Sequence, residues 1–249
     1  MYFMKYYFIV LVSFFFAPSV WAVTINVTTT VDENDGGTGG TGVSIRDAIS
    51  MAVGGDLIAI PAGTYTMTLG ELSVSTNNLT FTGVDPTTTF IDGNNTTRLF
   101  RVTATNCTFN NVTLQNGRAG TGGAGISYPS SAGTLTLNRC IFHNNTAPGS
   151  VSSQADAGAL LIQGANATIN IDDCVFSSNT CADDGGAIWF ENSNNTATLN
   201  ATIRNSTFLN NISVDRSGAI GTDIFGNVTL INCTFSGNSA RQDGGGLGT

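Results

Sequence analysis

The stretch Thr168–Phe190, TINIDDCVFSSNTCADDGGAIWF, contains the pattern that decides the fold. Apolar residues alternate with polar ones on both sides of the pair Asp172-Asp173, but the parity changes across it: Ile169, Ile171, Cys174 and Phe176. Alternation with a period of two is typical of a strand with one buried face. A change of parity indicates a corner that keeps both strands facing one interior. The stretch therefore predicts two short strands that meet at a bend, and a third that opens at Gly185-Gly186-Ala187-Ile188.

The same arrangement of two strands and a corner occurs five times. The last phenylalanine of each copy marks the repeat, at steps of 33, 34, 32 and 27 residues: Phe109, Phe142, Phe176, Phe208 and Phe235. The last four are each followed three residues later by an asparagine: Asn145, Asn179, Asn211 and Asn238. Small residues open a strand at similar intervals, as in Ala124-Gly125-Ile126 and Gly158-Ala159-Leu160. Such a period is typical of a solenoid, so we predict an all-β fold, a right-handed parallel β-helix, with its repeats over residues 103–249.

Residues 1–22 have the features of a secretory signal peptide. Lys5 precedes the apolar run Phe8–Phe16, and Val20-Trp21-Ala22 has small residues at the spacing that a signal peptidase reads. The run is shorter than the roughly 20 residues that a membrane-spanning helix needs. We therefore expect an exported chain that begins near Val23 and has no membrane-spanning segment of its own.

The composition excludes some partners. The formal net charge is -8, and Lys5 is the only lysine. Nucleic acids and anionic lipid surfaces are bound through basic stripes, which this sequence lacks. We therefore predict no nucleic-acid partner.

The cysteines also follow the repeat. Four of the five stand two residues before a repeat phenylalanine and are predicted to stack inside the coil as free thiols: Cys107, Cys140, Cys174 and Cys233. Neighbouring parallel strands lie about 4.8 Å apart, more than the roughly 3.8 Å between the Cβ atoms of a disulfide. The sequence has no Cys-x-x-Cys pair, and the single histidine, His143, has outward parity. We therefore predict no zinc site and no cofactor.

Residues 23–102 differ in character and are predicted to form an N-terminal cap and the first rungs. Ser44 can N-cap a short helix, with Asp47 at its third position. The segment resembles the exported module named for its Cys-Ser-Leu-Arg-Glu-Ala stretch, in these pieces: Thr28-Thr29-Thr30-Val31-Asp32, Ser44-Ile45-Arg46-Asp47-Ala48-Ile49, Asp56–Tyr65 and Ile91-Asp92-Gly93. That resemblance implies a cap on a right-handed parallel β-helix of a bacterial surface or secreted protein. Val43 and Asp47 replace the family's cysteine and glutamate, so the cap is expected to lack a disulfide.

The coil, with its Phe-x-x-Asn and Gly-Gly-Ala-Ile elements, is similar to the repeats of the polymorphic outer-membrane proteins. The resemblance implies an exported adhesive passenger at the cell surface or outer membrane. Members of that family end in an outer-membrane β-barrel, whereas this sequence stops inside a strand opening at Gly248-Thr249. We therefore expect either an incomplete chain or a short secreted relative.

The acidic residues raise an enzymatic alternative, because polysaccharide lyases also use this fold. Asp172-Asp173 aligns with Arg139 and Arg204, which predicts a charge ladder along the corner. Asp183-Asp184 precedes a strand opening and is expected to be a solvated turn. A second acidic stretch, Asp32–Gly36, starts like a calcium loop but lacks oxygen ligands at later positions, which favours a turn rich in Asx residues. The strongest arrangement for a lyase would bring four residues of separate loops into one cleft: Asp156, Asp183, Asp184 and Arg216.

These features favour an exported, adhesin-like binding scaffold for a host or cell-surface macromolecule or glycan. A polysaccharide lyase, or another carbohydrate-active enzyme on a β-helix, is the alternative. We assign no catalytic, cofactor-binding or metal-binding residue from the sequence. A cleft that gathers Asp, Arg and aromatic side chains on one sheet face would favour the enzyme.

Overall fold

The computed structural model describes residues 21–130, 132–149, 155–164, 166–191, 198–224 and 226–248. Almost all of residues 1–22, the predicted signal peptide, lie outside this part of the chain. Within it the chain is a parallel β-helix, as the sequence predicted. It has 25 strands in four parallel sheets and one short helix, α1, at Ile45–Met51.

The strands, numbered in chain order, stack by sheet. Sheet 1 contains β1 Thr24–Asn26, β2 Leu57–Ile60, β5 Leu79–Gly83, β8 Asn106–Asn110, β11 Gly133–Asn138, β15 Ala167–Asp172, β19 Leu199–Arg204 and β23 Gly226–Ile231. Sheet 2 contains β3 Gly63–Thr66, β6 Thr89–Asp92, β9 Thr113–Gln115, β12 Ile141–His143, β16 Val175–Ser177, β20 Thr207–Leu209 and β24 Thr234–Ser236. Sheet 3 is small, with β13 Thr146–Ala147, β17 Thr180–Cys181 and β21 Ile212–Ser213. Sheet 4 contains β4 Leu72–Val74, β7 Phe100–Val102, β10 Ile126–Tyr128, β14 Leu160–Ile162, β18 Ile188–Glu191, β22 Ile220–Asp223 and β25 Leu247–Gly248.

In each of the last five rungs, one left-handed residue makes the corner between sheets 1 and 2. In the quoted stretch this residue is Asp173, with φ 52°, in the left-handed region. The equivalent residues have φ between 50° and 55°: Asn111, Arg139, Asn205 and Asn232. Asparagine and aspartate tolerate this conformation better than other non-glycine residues, which explains the polar corner. One left-handed residue between two strands produces the change of parity seen in the sequence.

The interior of the coil is built from stacked columns. Phe176 lies between Phe142 and Phe208, with ring centroids 4.7 and 5.0 Å apart and planes within 7° of parallel. Three residues further along, the buried side chains of Asn145, Asn179 and Asn211 form a hydrogen-bonded ladder that ends at the partly buried Asn238. The ladder satisfies the polar groups at a bend, where a buried backbone group without a partner would be costly.

The predicted first copy of the repeat is wrong. Cys107 and Phe109 lie in β8 of sheet 1, where Phe109 pairs with Leu137 and not with Phe142. The residue beneath Phe142 is Leu114. Cys107 is therefore a buried free thiol in a different column from Cys140, Cys174 and Cys233, and Cys233 is only partly buried. The prediction failed because the true first copy has leucine instead of phenylalanine, while an apolar pair of the right spacing occurs five residues earlier.

The cap helix forms as predicted. Ser44 accepts a hydrogen bond from the backbone N–H of Asp47, whose carboxylate accepts from the backbone N–H of Ser44, so the capping box is complete. The helix buries Ile45 and Ala48 in the same apolar core as the first rungs. Among the residues that the structure describes, no helix combines the length and the apolar character that a membrane crossing requires.

Candidate functional site: an acidic cluster on the outside of the coil

The predicted charge ladder at the corner has the expected register but not the expected ion pairs. Asp172 lies opposite Arg204 on the neighbouring strand, yet its carboxylate accepts from the side chain of Asn205 at 3.1 Å. Arg139 forms its ion pair with Asp85, at 3.2 Å. The corner is therefore a surface network, and such exposed pairs contribute little to stability.

His143 is exposed, as its parity predicted, and its Nδ1 lies 2.9 Å from the hydroxyl of Ser177 on the next rung.

The acidic stretch near the cap, Asp32–Gly36, contains an Asx turn, as the sequence predicted. Asp35 Oδ1 accepts from the N–H of Gly37, two residues later, which makes an Asx turn. The carboxylate of Asp32 binds Arg46 through two hydrogen bonds of 2.9 and 3.1 Å. The groups that open a calcium loop therefore have structural partners.

The structure does bring together the four residues that sequence analysis named for a lyase. Asp156 precedes the opening of β14, Asp183 and Asp184 lie between β17 and β18, and Arg216 precedes β22. These loops belong to successive rungs, so the coil places them side by side. Oxygens of the three carboxylates lie within 4.8 Å of one another.

The expectation that Asp183-Asp184 is a solvated turn is wrong. The exposed fractions of Asp156, Asp183 and Asp184 are only 5%, 9% and 3%. Neighbouring loops cover the pair: the backbone N–H of Ala157 donates to the Asp184 carbonyl at 2.8 Å, and the hydroxyl of Ser213 donates to the Asp183 carbonyl. The sequence could not show this because the loops that bury the pair come from the adjacent rungs.

Arg216 offsets part of the negative charge. Its guanidinium donates to both oxygens of Asp184, at 2.7 and 3.2 Å, and its backbone N–H donates to the same carboxylate at 3.1 Å. Burial nevertheless raises the pKa of Asp184 above its usual value, against the effect of Arg216.

Among the residues that the structure describes, no cationic side chain lies at hydrogen-bond distance from the other two carboxyls. Burial, together with the charge of Asp183, raises the pKa of Asp156 to about 7. Burial and the charges of Asp184 and Asp215 raise the pKa of Asp183, while a hydrogen bond with the Asp156 side chain opposes this shift. The arrangement fits a carboxylic acid at Asp156 that donates to an ionised Asp183 near neutral pH. A proton on Asp156 and the guanidinium of Arg216 would together offset two of the three negative charges of the group.

A small apolar patch lies beside the cluster and was missed in the sequence. Ala157, Leu161 and Trp189 form a hydrophobic group of their own, separate from the coil interior, and Trp189 is only 4% exposed. The Arg216 guanidinium carbon lies 5.9 Å from the centre of the Trp189 ring. A signal was present: Leu160-Leu161-Ile162 and Ile188-Trp189-Phe190 are unbroken apolar triplets, which indicate strands covered on both faces.

Two concave surfaces lie away from the acidic cluster. One of about 310 Å³ lies beside the cap helix and includes Arg46 and Ser50. Another, of about 350 Å³, lies at the C-terminal end of the coil, between Leu230 and Leu247. The three carboxyls of the acidic cluster are at most 9% exposed, whereas a ligand site is normally a concave surface with convergent polar groups.

Comparisons with known proteins agree with the fold. The Chlamydia polymorphic membrane protein repeat matches residues 173–191 and 232–249. A probable autotransporter of Escherichia coli strain K12, YfaL, is 32% identical over 100 residues, which cover 40% of this chain and 8% of that protein. No solved structure matches the chain. The matched repeats and the stacked parallel strands identify a parallel β-helix with polymorphic-membrane-protein-like repeats, and they support a surface-exposed passenger of the autotransporter type.

Proposed function

We propose that this chain is an adhesin-like passenger that binds a glycan or another macromolecule of a host or cell surface through its outward side chains. The observation that carries the proposal is the outer face of sheet 1. Hydroxyl and amide side chains stack there in two columns across successive strands: Asn106, Thr134, Thr168, Asn200 and Asn227 in one, and Thr108, Thr136, Asn170, Thr202 and Thr229 in the other.

Side-chain hydrogen bonds already order some neighbours along the first column. Asn106 donates to Asn78 at 2.8 Å, and Asn227 donates to Asn200 at 3.3 Å. The strands fix the distance between rungs at about 4.8 Å, so the face presents a regular set of donors and acceptors. Such a preorganised face loses little entropy when it binds an extended polar partner. The acidic composition favours a neutral or basic partner over an anionic one.

Binding of the purified chain to epithelial cell monolayers and to immobilised neutral glycans tests the proposal. Thr136→Arg and Thr202→Arg place bulky side chains on the outer face of sheet 1. We expect the variant that carries both substitutions to lose binding at least tenfold. Ser177→Arg, on the outer face of sheet 2, is the matched control and should bind like the parent chain. The absence of saturable binding to either probe, or an equal loss in the control, would refute the proposal.

A polysaccharide lyase is the second candidate, because Asp156, Asp183, Asp184 and Arg216 do come together. Their burial and the engagement of Arg216 with Asp184 argue against it, since a lyase needs its acidic and basic groups open to the sugar. The deciding assay is incubation with pectate and alginate in the presence of calcium. Unsaturated products that disappear with Asp183→Ala would establish the enzyme and overturn the scaffold.

A further inference from the structure

We propose that the groove between α1 and β4 is a peptide-binding site. It would take a short extended segment of a partner protein, with a glutamate at its centre, as an additional strand of sheet 4. The groove is the concave surface of about 310 Å³ beside the cap helix. It belongs to sheet 4 and not to the outer face of sheet 1, so this inference goes beyond the proposed function.

The strand on one side of the groove has an open edge. In the part of the chain that the structure describes, β4 pairs with β7 alone, in parallel. The N–H of Leu72 donates to the Leu99 carbonyl at 2.8 Å. The carbonyl of Val74 accepts from the N–H of Thr103 at 2.9 Å, so Leu72 and Val74 both bond toward β7. In a parallel ladder the residue between them directs its N–H and C=O to the opposite edge. The backbone groups of Ser73 therefore face the groove and are available to another strand.

The helix side of the groove is held in place by Arg46. Its guanidinium donates to the carbonyls of Gly70 and Glu71, at 2.8 and 3.0 Å, and binds the carboxylate of Asp32 at 2.9 Å. These bonds tie α1 to the chain that enters β4. The Glu71 carbonyl points to the same side as the backbone groups of Ser73, as the alternation along the strand requires. The groove is thus preformed, which lowers the entropy cost of binding.

The lining suits an extended backbone. Ile49 and Leu72 supply apolar surface, while Ser50, Ser75 and Thr76 supply hydroxyl groups. A peptide strand presents side chains alternately to its two faces, so it can place apolar side chains on one face and polar ones on the other. Pockets for small molecules are lined mainly by apolar and aromatic side chains, and none of the described lining residues is aromatic. The open strand edge therefore favours a peptide over a free sugar.

One unpaired charge beside the groove selects the central residue of the peptide. Arg101 lies opposite Ser73 on β7 and is exposed. Among the ion pairs of the residues that the structure describes, none includes Arg101. A strand added to β4 would lie about 9.6 Å from β7, which is twice the strand spacing. Because Ser73 is short, the long side chains of Arg101 and a peptide glutamate can meet across it.

Fluorescence anisotropy of a labelled synthetic peptide tests the proposal. The sequence Thr-Val-Glu-Val-Thr reads the same in both directions, so it offers glutamate opposite Ser73 whichever way the added strand runs. We expect saturable binding to the whole chain. N-methylation of the three central residues should weaken binding about tenfold, because it removes the donors of the added strand and keeps every side chain.

Variants of the chain locate the site. Ser50→Trp fills the groove from the helix side and should weaken binding about tenfold. Thr64→Trp is the matched control, because Thr64 is exposed on the outer face of sheet 2 in the same rung, and it should bind like the parent chain. Arg101→Gln should weaken binding of the glutamate peptide about threefold, and it should leave a peptide with glutamine in that place unaffected.

Hydrogen exchange gives a direct readout of the added strand. The amide of Ser73 should exchange more slowly when the peptide saturates the chain, whereas the amide of Leu72, which is bonded to Leu99, should be protected with or without the peptide. No saturable binding, equal binding of the N-methylated peptide, or an equal loss in Thr64→Trp would each overturn the proposal. If free glucose or galactose displaces the peptide, the groove is a sugar site and the peptide proposal is wrong.

Discussion

Removal of the Asn179 side chain should show how much the asparagine ladder contributes to stability. Asn179 is fully buried, and its Oδ1 accepts from both the backbone N–H and the side-chain amide of Asn145, at 3.1 Å each. Its Nδ2 donates to the Phe142 carbonyl at 3.0 Å and to Asn211 Oδ1 at 2.9 Å. Asn179→Ala therefore leaves two donors of Asn145 without an acceptor inside the coil.

The expected loss follows from those two donors. An unsatisfied buried polar group costs roughly 1–3 kcal/mol, so we expect Asn179→Ala to reduce the free energy of unfolding by about 4 kcal/mol. Asn200→Ala is the matched control, because Asn200 is exposed on the outer face of sheet 1 and accepts one bond from Asn227. A surface substitution of this kind changes the free energy of unfolding by about 0.5 kcal/mol or less.

Urea unfolding followed by circular dichroism measures both variants. Hydrogen exchange should accompany it, because long repeat arrays can lose rungs separately. The amide of Thr180, which donates to the Asn145 carbonyl, should exchange faster in Asn179→Ala and at the parent rate in Asn200→Ala. If the two variants differ by less than about 1 kcal/mol, the ladder is not a major source of stability and the reasoning fails.

Three further predictions concern the strand openings, the thiols and the cap. Gly186→Ala should lower the free energy of unfolding by about 3 kcal/mol, because a Cβ at this position collides with the backbone of the next rung. Gly120 has open space around it, so Gly120→Ala should leave the stability unchanged when the two variants are compared by thermal unfolding. A thiol reagent should label Cys233 first in the native chain, because Cys233 is the least buried thiol. Burial raises the pKa of Cys181 to about 12, so rapid labelling of Cys181 in the native chain would contradict this prediction. Ser44→Ala should lower the free energy of unfolding by about 1 kcal/mol through loss of the helix cap, as measured by urea unfolding, and an unchanged midpoint would show that the cap is dispensable.

The sequence alone was sufficient for the repeat and for the cap helix. The alternation changes parity at the corner because one residue, Asp173 in the quoted stretch, takes a left-handed conformation. This is a local property, so the same change of parity is visible in the sequence of each copy. Phe176 and Asn179 recur because side chains on parallel strands stack on identical neighbours, so a favourable residue is repeated at the same position. The helix cap is equally local, since Ser44 and Asp47 satisfy each other within four residues.

Only the tertiary structure decided the register of the first rungs and the state of the acidic cluster. Cys107 and Phe109 match the repeat by spacing, but strand pairing with the neighbouring rungs places them in sheet 1. Asp183-Asp184 has the composition of a solvated turn, and it is buried because loops from the rungs on either side close over it. Register and burial both depend on which distant segments become neighbours. The rungs differ in length, by up to seven residues between consecutive phenylalanines. Which residues become neighbours is therefore decided only when the coil is assembled.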